Sequence, residues 1–368
     1  MKTSDTSGTT SAYAVVTTSS RGFRCGPLTR QVEPRTIAVL VILFLLILAF
    51  VLATFVLATL MVSGAGLNTV EALHVLTLQA DDSPESRFAT TVITQWRLPR
   101  TVAAIAVGAA LALSGCLMQV ITRNALGTPD ILGFNTGAYS GVIAALSLGY
   151  TSFSSNVVAA VLGGGTITAV TVLILAFLKG TSGGRLILVG IGISMMLSAF
   201  NKWLIARGEL EISMSAAAWG AGSLNGLRWS QVFYANIALI VLIILALCLR
   251  RHLDALRLGN ETAEAIGVPV AFWRRIIVLV AVALTAVSTA LAGPISLLAL
   301  ASPHIACMTT KSGRTPLLTT AAVGSCLLLA ADLVAQRLFS PIQLPVGLVT
   351  VTLGGAYLLW LIRHQKVG

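Results

Sequence analysis

The feature that most constrains this chain is its succession of apolar runs that are long enough to cross a lipid bilayer. The first run, residues 37–62, exceeds the ~7–15 residues of a signal-peptide core and reaches the ~20 residues of a transmembrane helix. Backbone polar groups inside a bilayer must be paired within the chain, so such runs fold as helices. Ten runs are predicted to span: 37–62, 101–118, 136–148, 157–178, 186–206, 232–249, 276–292, 295–308, 317–335 and 346–362. The predicted fold class is therefore all-α, a polytopic membrane protein with about ten transmembrane helices.

Composition and charge agree with this fold class. Charged residues make up 10% and hydrophobic residues 56% of the chain, with a mean hydropathy of +0.90, whereas soluble domains have roughly a quarter of their residues charged. The net charge of +11 could indicate a nucleic-acid partner, but most of the 24 Lys and Arg residues fall in loops on one predicted side of the membrane. That side, and both termini with it, is predicted to be cytoplasmic. Topology accounts for the charge, so membrane lipid is predicted as a partner and nucleic acid is not.

Two domains are predicted. Residues 1–36 are rich in Ser and Thr, show no apolar period and contain four arginines, Arg21, Arg24, Arg30 and Arg35. This composition predicts a disordered basic cytoplasmic tail. Residues 37–368 form the predicted transmembrane domain.

Residues 250–275 interrupt the apolar runs with a polar segment. Apolar and charged side chains alternate there, and Gly259, Gly267 and Pro269 break the segment into short pieces. Arginines bracket it at 250, 251, 274 and 275, which indicates the cytoplasmic side. The pattern predicts a short amphipathic hairpin on the membrane surface, with a solvated loop that merely joins two spans as the alternative.

No motif for nucleotide hydrolysis or metal binding is present. The chain has no Gly-x-x-x-x-Gly-Lys-Ser/Thr phosphate loop, so any ATP must be hydrolysed by a partner. His304 and Cys307 have the spacing of a metal pair, but two ligands do not close a site. The five cysteines lie mostly in or beside apolar runs and form no disulfide framework. No enzymatic activity, cofactor or metal is predicted, and an intramembrane enzyme would need a paired nucleophile and base that the sequence lacks.

Asp332 is the one carboxylate well inside an apolar run. A charge within the membrane is a functional candidate by default. The alternative is a satisfied carboxylate near a helix end, close to Arg337. A proton-coupled secondary transporter would need several such carboxylates, so a single one makes that class the weaker hypothesis.

Several short motifs occur in the order found in the iron-siderophore and cobalamin permease family of ABC importers. They are RLPR at 97–100, GAALALSG at 108–115 with Gln119 and RN at 123–124, LGNETAEAIGV at 258–268, GPI at 293–295, PHI at 303–305 and LPVG at 344–347. From about residue 90 to the C-terminus the chain resembles this family. The resemblance implies a type II ABC importer permease fold with ten helices, in a bacterial cytoplasmic (inner) membrane.

Three further segments resemble the members that carry ferric catecholates such as ferric enterobactin. These are GFNTGA at 133–138, AGSLNG at 221–226 and QLPVGLVTV at 343–351. The resemblance implies a permease subunit that moves a ferric siderophore inward by alternating access. Another iron chelate, haem or cobalamin, carried by the same fold, is the alternative cargo.

The resemblance also implies partners and site residues. The partners are a homologous permease subunit, as a heterodimer rather than a homodimer, two ATPase subunits and an extracytoplasmic siderophore-binding protein. The ATPase would dock on Leu258, Gly259, Glu261, Ala263, Ile266 and Gly267. Glutamates of the binding protein would meet Arg97, Arg100 and Arg337. The translocation pathway would be lined by Met195, Ser198, Asn201 and Trp203.

Three positions depart from the family pattern. Ala125 replaces the proline that usually follows Arg-Asn, and Cys307 stands where an arginine commonly follows Pro-His. Gln336 occupies a position where some members have a docking arginine, which leaves Arg337 one residue further along.

Overall fold

The computed structural model describes residues 34–62, 87, 90–177, 183–311, 315–339 and 343–364. Within these ranges the chain is helical and contains no β-strand. The α-helices are α1 Pro34–Val62, α2 Leu98–Thr122, α3 Phe134–Ser147, α4 Phe153–Phe177, α5 Gly183–Arg207, α6 Leu210–Gly220, α7 Trp229–Cys248, α8 Arg250–Arg257, α9 Asn260–Ala265, α10 Val270–Ala292, α11 Leu298–Thr310, α12 Leu317–Arg337 and α13 Val346–His364. A π-helical turn at Val92–Arg97 runs directly into α2, and a 3-10 turn at Pro129–Leu132 precedes α3.

The ten predicted spans fall one to one on ten of these helices, α1 to α5, α7 and α10 to α13, which confirms the predicted fold class. Among the described residues, six helices are long and apolar enough to cross a membrane unaided. Helices α3 and α11 have 14 and 13 residues, which is only ~20 Å of helix against ~30 Å of hydrocarbon. Short helices are tolerated at this depth where protein covers them. Accordingly, α3 packs on α4, and α11 packs on α2 and α12.

Helix α2 lies at the centre of the fold, where it packs against α7, α10, α11 and α12. Small residues permit this, because helices in a membrane approach closely where side chains are absent. A Cβ atom added at Gly108 would overlap the backbone of Gly324, and one added at Gly324 would overlap the backbone of Gly108. Ser325 Oγ also donates to the carbonyl oxygen of Ile105 at 2.8 Å. The antiparallel helices α2 and α12 therefore touch backbone to backbone.

The predicted disordered tail, residues 1–36, lies outside the described residues except at its end. Residues 34–36 form the first turn of α1, so the helix begins before the predicted boundary. Pro34 suits the first turn of a helix, where its missing N–H would have no partner in any case.

Candidate functional site

One end of the bundle holds a buried ion pair between α2 and α12. Arg100 Nη2 lies 2.6 Å from Asp332 Oδ1, and Arg100 Nε donates to Asp332 Oδ2 at 3.0 Å. Arg100 is 7% exposed and Asp332 is 1% exposed. Arg100 Nη1 also donates to Gln343 Oε1 at 3.1 Å. Asp332 is thus a carboxylate whose charge is paired, as one of the two alternatives proposed. The sequence suggested Arg337, which is half-buried at the end of α12, as the nearby cation. In the structure Arg100 of α2 forms the ion pair.

Gln336 connects this ion pair to Arg97. Gln336 Nε2 donates to Asp332 Oδ2 at 2.7 Å, and Arg97 Nη1 donates to Gln336 Oε1. An ionised carboxylate can only accept hydrogen bonds, so the amide NH₂ of Gln336 faces Asp332 and its oxygen faces Arg97. We call Arg97, Arg100, Asp332, Gln336 and Gln343 the arginine cluster. The structure therefore brings both arginines of the RLPR motif together, Arg97 half-buried and Arg100 buried.

The free energy lost on separating Arg100 from Asp332 exceeds the free energy that a new ion pair with a partner would return. Removing one partner of a buried ion pair costs about 3–5 kcal/mol, since the other charge is left uncompensated. A new ion pair that remains in contact with water returns only about 0.2–1 kcal/mol. Of the two motif arginines, Arg100 is therefore held in a buried ion pair, and Arg97 remains partly accessible.

Three motif segments meet beside the cluster through their glycines. Ser223 N–H donates to the oxygen of Ala292 at 2.7 Å, and Gly347 N–H donates to the oxygen of Gly222 at 3.0 Å. A Cβ atom at Gly347 would overlap the carbonyl oxygen of Ala221. The segments at 221–226, 293–295 and 344–347, distant in sequence, are therefore joined by their backbones, and we call this contact the glycine junction.

The opposite end of the bundle carries residues 250–268, which we call the amphipathic segment. It forms α8 and α9 rather than an irregular loop, with left-handed turns at Gly259 (φ +116°) and Gly267 (φ +82°). Of the predicted coupling residues, Ala263 is buried in the core, so it anchors the segment. Leu258 and Ile266 are 65% and 59% exposed. Among the others, Glu261 and Gly267 are exposed and Gly259 is half-buried.

Side chains fasten the amphipathic segment to α2 and α12. Arg123 Nη2, just after α2, donates to Asn260 Oδ1 at 2.7 Å. Thr315 Oγ1, just before α12, donates to Asp254 Oδ1 at 2.8 Å, and its backbone N–H donates to the same oxygen at 3.1 Å. Helices α2 and α12, which share the arginine cluster at one end, thus both hold the amphipathic segment at the other.

His252 in α8 stacks on Trp273, with ring centroids 3.4 Å apart. Burial, together with the nearby Arg251, lowers the pKa of His252. A lowered pKa keeps the imidazole neutral near pH 7, which suits a stacked ring rather than a proton carrier.

Helix α5 places three of the four predicted pathway residues on accessible surface. Met195 and Trp203 are 69% and 50% exposed, and Ser198 is half-buried. Asn201 is 1% exposed, accepts from Ser140 Oγ at 2.8 Å and donates to the oxygen of Thr136 at 3.3 Å. Asn201 therefore ties α5 to α3 instead of lining an open face.

Asp130 is a carboxylate near the predicted pathway that sequence reasoning missed. It lies in the 3-10 turn before α3 and accepts a hydrogen bond from Asn135 Nδ2, while Asn135 Oδ1 accepts from Thr289 Oγ1 at 3.0 Å. Burial raises the pKa of Asp130 to about 6. It lines a shallow hollow of about 350 Å³ with Thr136, Ile191, Ser194, Met195 and Ser198. The only signal in the sequence was a lone acid between two spans.

Replacing Asp130 with asparagine should stabilise the protein at about pH 8 but not at about pH 4. Its pKa rises from 3.8 to about 6 on folding because the folded state disfavours the ionised carboxylate. Ionisation of Asp130 therefore lowers the free energy of unfolding by roughly 3 kcal/mol. This loss is complete above about pH 6 and absent below about pH 4. Thermal unfolding of the wild type and Asp130→Asn at several pH values measures this. A pH-independent difference between the two proteins would contradict it.

The His304 and Cys307 pair does not form part of a larger cluster. His304 packs against Tyr357, with ring centroids 6.2 Å apart, and Cys307 is exposed. In the described ranges no three or more His, Cys, Asp and Glu side chains come together as metal ligands would.

Known transport proteins are similar to this chain in sequence over most of its length. The model of the FecCD transport family matches residues 45–364. The chain is 46% identical to the ferric enterobactin transport system permease protein FepG of Escherichia coli K12, over 82% of this chain and 91% of that protein. It is 35% identical to the vitamin B12 import system permease protein BtuC of Salmonella paratyphi A, over 73% and 82% of the two chains.

A solved structure shares the fold. It is a metal-chelate type ABC transporter in an inward-facing conformation, with a TM-score of 0.73 and 28% identity over 88% of this chain and 98% of that chain. This similarity confirms the type II ABC importer permease fold and a multi-pass membrane protein. Because the family model covers most of the chain and the relatives align over most of their own length, this chain belongs to the FecCD transport family.

Proposed function

We propose that this chain is the permease subunit of an ABC importer that carries a ferric siderophore of the catecholate type across the bacterial cytoplasmic membrane. The observation that supports this cargo is the similarity to a ferric enterobactin permease, 46% identical over 302 residues, against 35% over 269 residues for the vitamin B12 permease. Other iron chelates, haem and cobalamin are the competing cargoes.

ATPase subunits are proposed to dock on the amphipathic segment. The sequence has no phosphate loop, so the energy of transport must come from a partner. Leu258 and Ile266 project apolar side chains next to the exposed Glu261, and an apolar centre with a polar rim is typical of a protein interface. Ala263 and the contacts of Arg123 and Thr315 hold this surface in place.

The exposed face of α5 is proposed to meet a homologous sister subunit across the pathway. Met195, Met196, Phe200 and Trp203 are each at least half exposed on this helix, so this face is open to a second subunit as well as to lipid. We propose a sister subunit rather than a second copy, as a heterodimer. Mass measurement of the purified complex distinguishes the two.

The extracytoplasmic binding protein is proposed to dock at the arginine cluster. Arg97 and Arg100 of this cluster, and Arg337 next to Gln336 at the end of α12, lie at the end of the bundle opposite to the amphipathic segment. A group of arginines that contains a single described carboxylate, Asp332, suits acidic side chains on a partner.

Uptake by reconstituted vesicles tests the proposed function. Vesicles that contain this chain with its sister and ATPase subunits should accumulate radiolabelled ferric enterobactin when ATP and the loaded binding protein are supplied. Cobalamin and haem serve as competing cargoes in the same vesicles. Accumulation on a proton gradient without the ATPase would overturn the proposal in favour of a secondary transporter.

Removing every cysteine and His304 should leave uptake of ferric catecholate intact. Catecholate oxygens bind the hard ferric ion strongly, and thiolate and imidazole ligands suit softer metals. The pathway should therefore carry the chelate whole, without iron ligands from the protein. A chain with all five cysteines changed to serine or alanine, combined with His304→Ala, tests this, with Tyr357→Phe as the control for packing around His304. Loss of uptake by a folded complex would instead indicate direct ligation of iron.

A further inference from the structure

We propose that the two arginines of the RLPR motif have different tasks at the docking site. Arg97 contacts an acidic side chain of the binding protein. Arg100 is a strut, by which we mean a buried structural residue that links α2 to α12 through its ion pair with Asp332. Asp332 and Gln336 are positioning residues that act on the partner only through Arg97. This inference rests on the proposed docking function and assigns the individual residues within it.

The surroundings of Arg100 leave it little capacity for a partner. Its Nε and Nη2 groups donate to the two carboxylate oxygens of Asp332, and its Nη1 donates to Gln343. With Arg100 7% exposed and Asp332 1% exposed, a partner could bind this guanidinium only by pulling it away from Asp332. That carboxylate would then be left buried without its cation, which is the arrangement that proteins avoid.

Arg97 is held differently. The group that contacts it, Gln336 Oε1, is a neutral amide oxygen, so the guanidinium is fixed in position without having its charge cancelled. Arg97 is also half-buried rather than buried, so part of its surface stays accessible. Within the arginine cluster Asp332 neutralises Arg100, and the unbalanced positive charge therefore resides on Arg97.

Asp332 fixes the orientation of the Gln336 side-chain amide. Because its carboxylate accepts from Gln336 Nε2 at 2.7 Å, the amide cannot turn over, and its oxygen must face Arg97. Charge-assisted hydrogen bonds of this kind are stronger than neutral ones. Gln336 therefore holds Arg97 in one orientation. An alanine at this position could not accept the hydrogen bond from Arg97. A glutamate would place a second carboxylate there, which would compete with the partner for Arg97.

Arginine footprinting of the chain in nanodiscs, without any partner, tests the burial of Arg100. Phenylglyoxal needs an accessible guanidinium, so Arg97 should react about ten-fold faster than Arg100, and Asp332→Asn should raise the rate at Arg100 by about ten-fold. Leu338→Ala, a change at an exposed position six residues after Asp332, serves as the control. Equal rates at the two arginines in the wild type would overturn the assignment of Arg100 as a strut.

Docking of the loaded binding protein to the complete transport complex tests the division of tasks. Arg97→Gln and Gln336→Glu should each raise the Kd for docking by about ten-fold or more, and the Kd of the Arg97→Gln complex should depend less on salt than that of the wild type, because one interface charge has been removed. Arg100→Lys keeps the charge but loses the bidentate contact with Asp332, so it should lower the thermal unfolding temperature while raising Kd by no more than about three-fold. The salt dependence of the Kd reports the charge at the interface, and a merely structural defect would not change it.

Two outcomes would overturn the inference. One is an Arg100→Lys complex that loses docking while Arg97→Gln retains it. The other is a Gln336→Glu complex that docks as well as the wild type. A wild-type complex that binds no binding protein would contradict the proposed docking function instead, and the footprint of the isolated chain would still decide whether Arg100 is a strut.

Discussion

Replacing Gly324 with leucine should nearly abolish the folded protein. A side chain there would overlap the carbonyl oxygen of Gly108 and the Cβ atom of Ala112, so α2 and α12 would have to move apart. Overpacking in a well-packed core costs about 1–3 kcal/mol, and more where the obstacle is backbone that cannot rotate away. The yield of monodisperse protein in detergent and its thermal unfolding temperature measure the loss.

Gly165→Leu provides the matched control for this change. Gly165 also lies inside an apolar helix, α4, but a Cβ atom added there would meet no atom within 4 Å. Both changes replace a helical glycine with the same side chain, so any difference reports the contact between helices. Equal yields of the two variants would show that the backbone contact of α2 and α12 does not hold the fold together.

Changing both Leu258 and Ile266 to glutamate should abolish ATP-driven uptake without unfolding the protein. Both side chains are exposed, so the isolated chain loses little packing. If a partner covers them, each contributes about 1.5–3 kcal/mol of apolar burial, and losing both should weaken ATPase binding by more than about a hundred-fold. Copurification of the ATPase subunits and uptake by vesicles measure the two effects.

Leu148→Glu is the matched control for that pair. Leu148 is 75% exposed and lies in the turn after α3, outside the amphipathic segment. It should leave copurification of the ATPase unchanged. Retained binding by the Leu258 and Ile266 double variant would remove the amphipathic segment from the proposed interface.

Sequence reasoning located the helices because each apolar run is a local signal. Ten predicted spans match helices, and the polar residues 250–268 separate as α8 and α9. The boundary at Pro34 was missed because the composition of the tail continues into the first turn of α1. Helix α6, Leu210–Gly220, was not predicted, so local patterns suffice for the order and approximate limits of the spans but not for every helix.

Contacts between residues that are distant in sequence could not be predicted from local patterns. Arg100 and Asp332 are 232 positions apart, and nothing near Asp332 in sequence points to α2 rather than to Arg337. Asn201 was assigned to the pathway by resemblance to the family, and in the structure its side chain joins α5 to α3. Exposure decides between these roles, and exposure depends on how the helices pack.

The contacts at the two ends of α2 and α12 have a thermodynamic consequence for the proposed assembly. Helix α12 has 21 residues, so it spans ~30 Å between the arginine cluster and Thr315. Both helices therefore connect the proposed site for the binding protein to the proposed site for the ATPase. Where two ligands share one structural element, the effect of the first on the affinity of the second equals the reverse effect. For a nucleotide that binds without being hydrolysed, the factor by which it changes docking of the binding protein equals the factor by which docking changes its affinity, and either measurement alone gives the coupling free energy between the two sites.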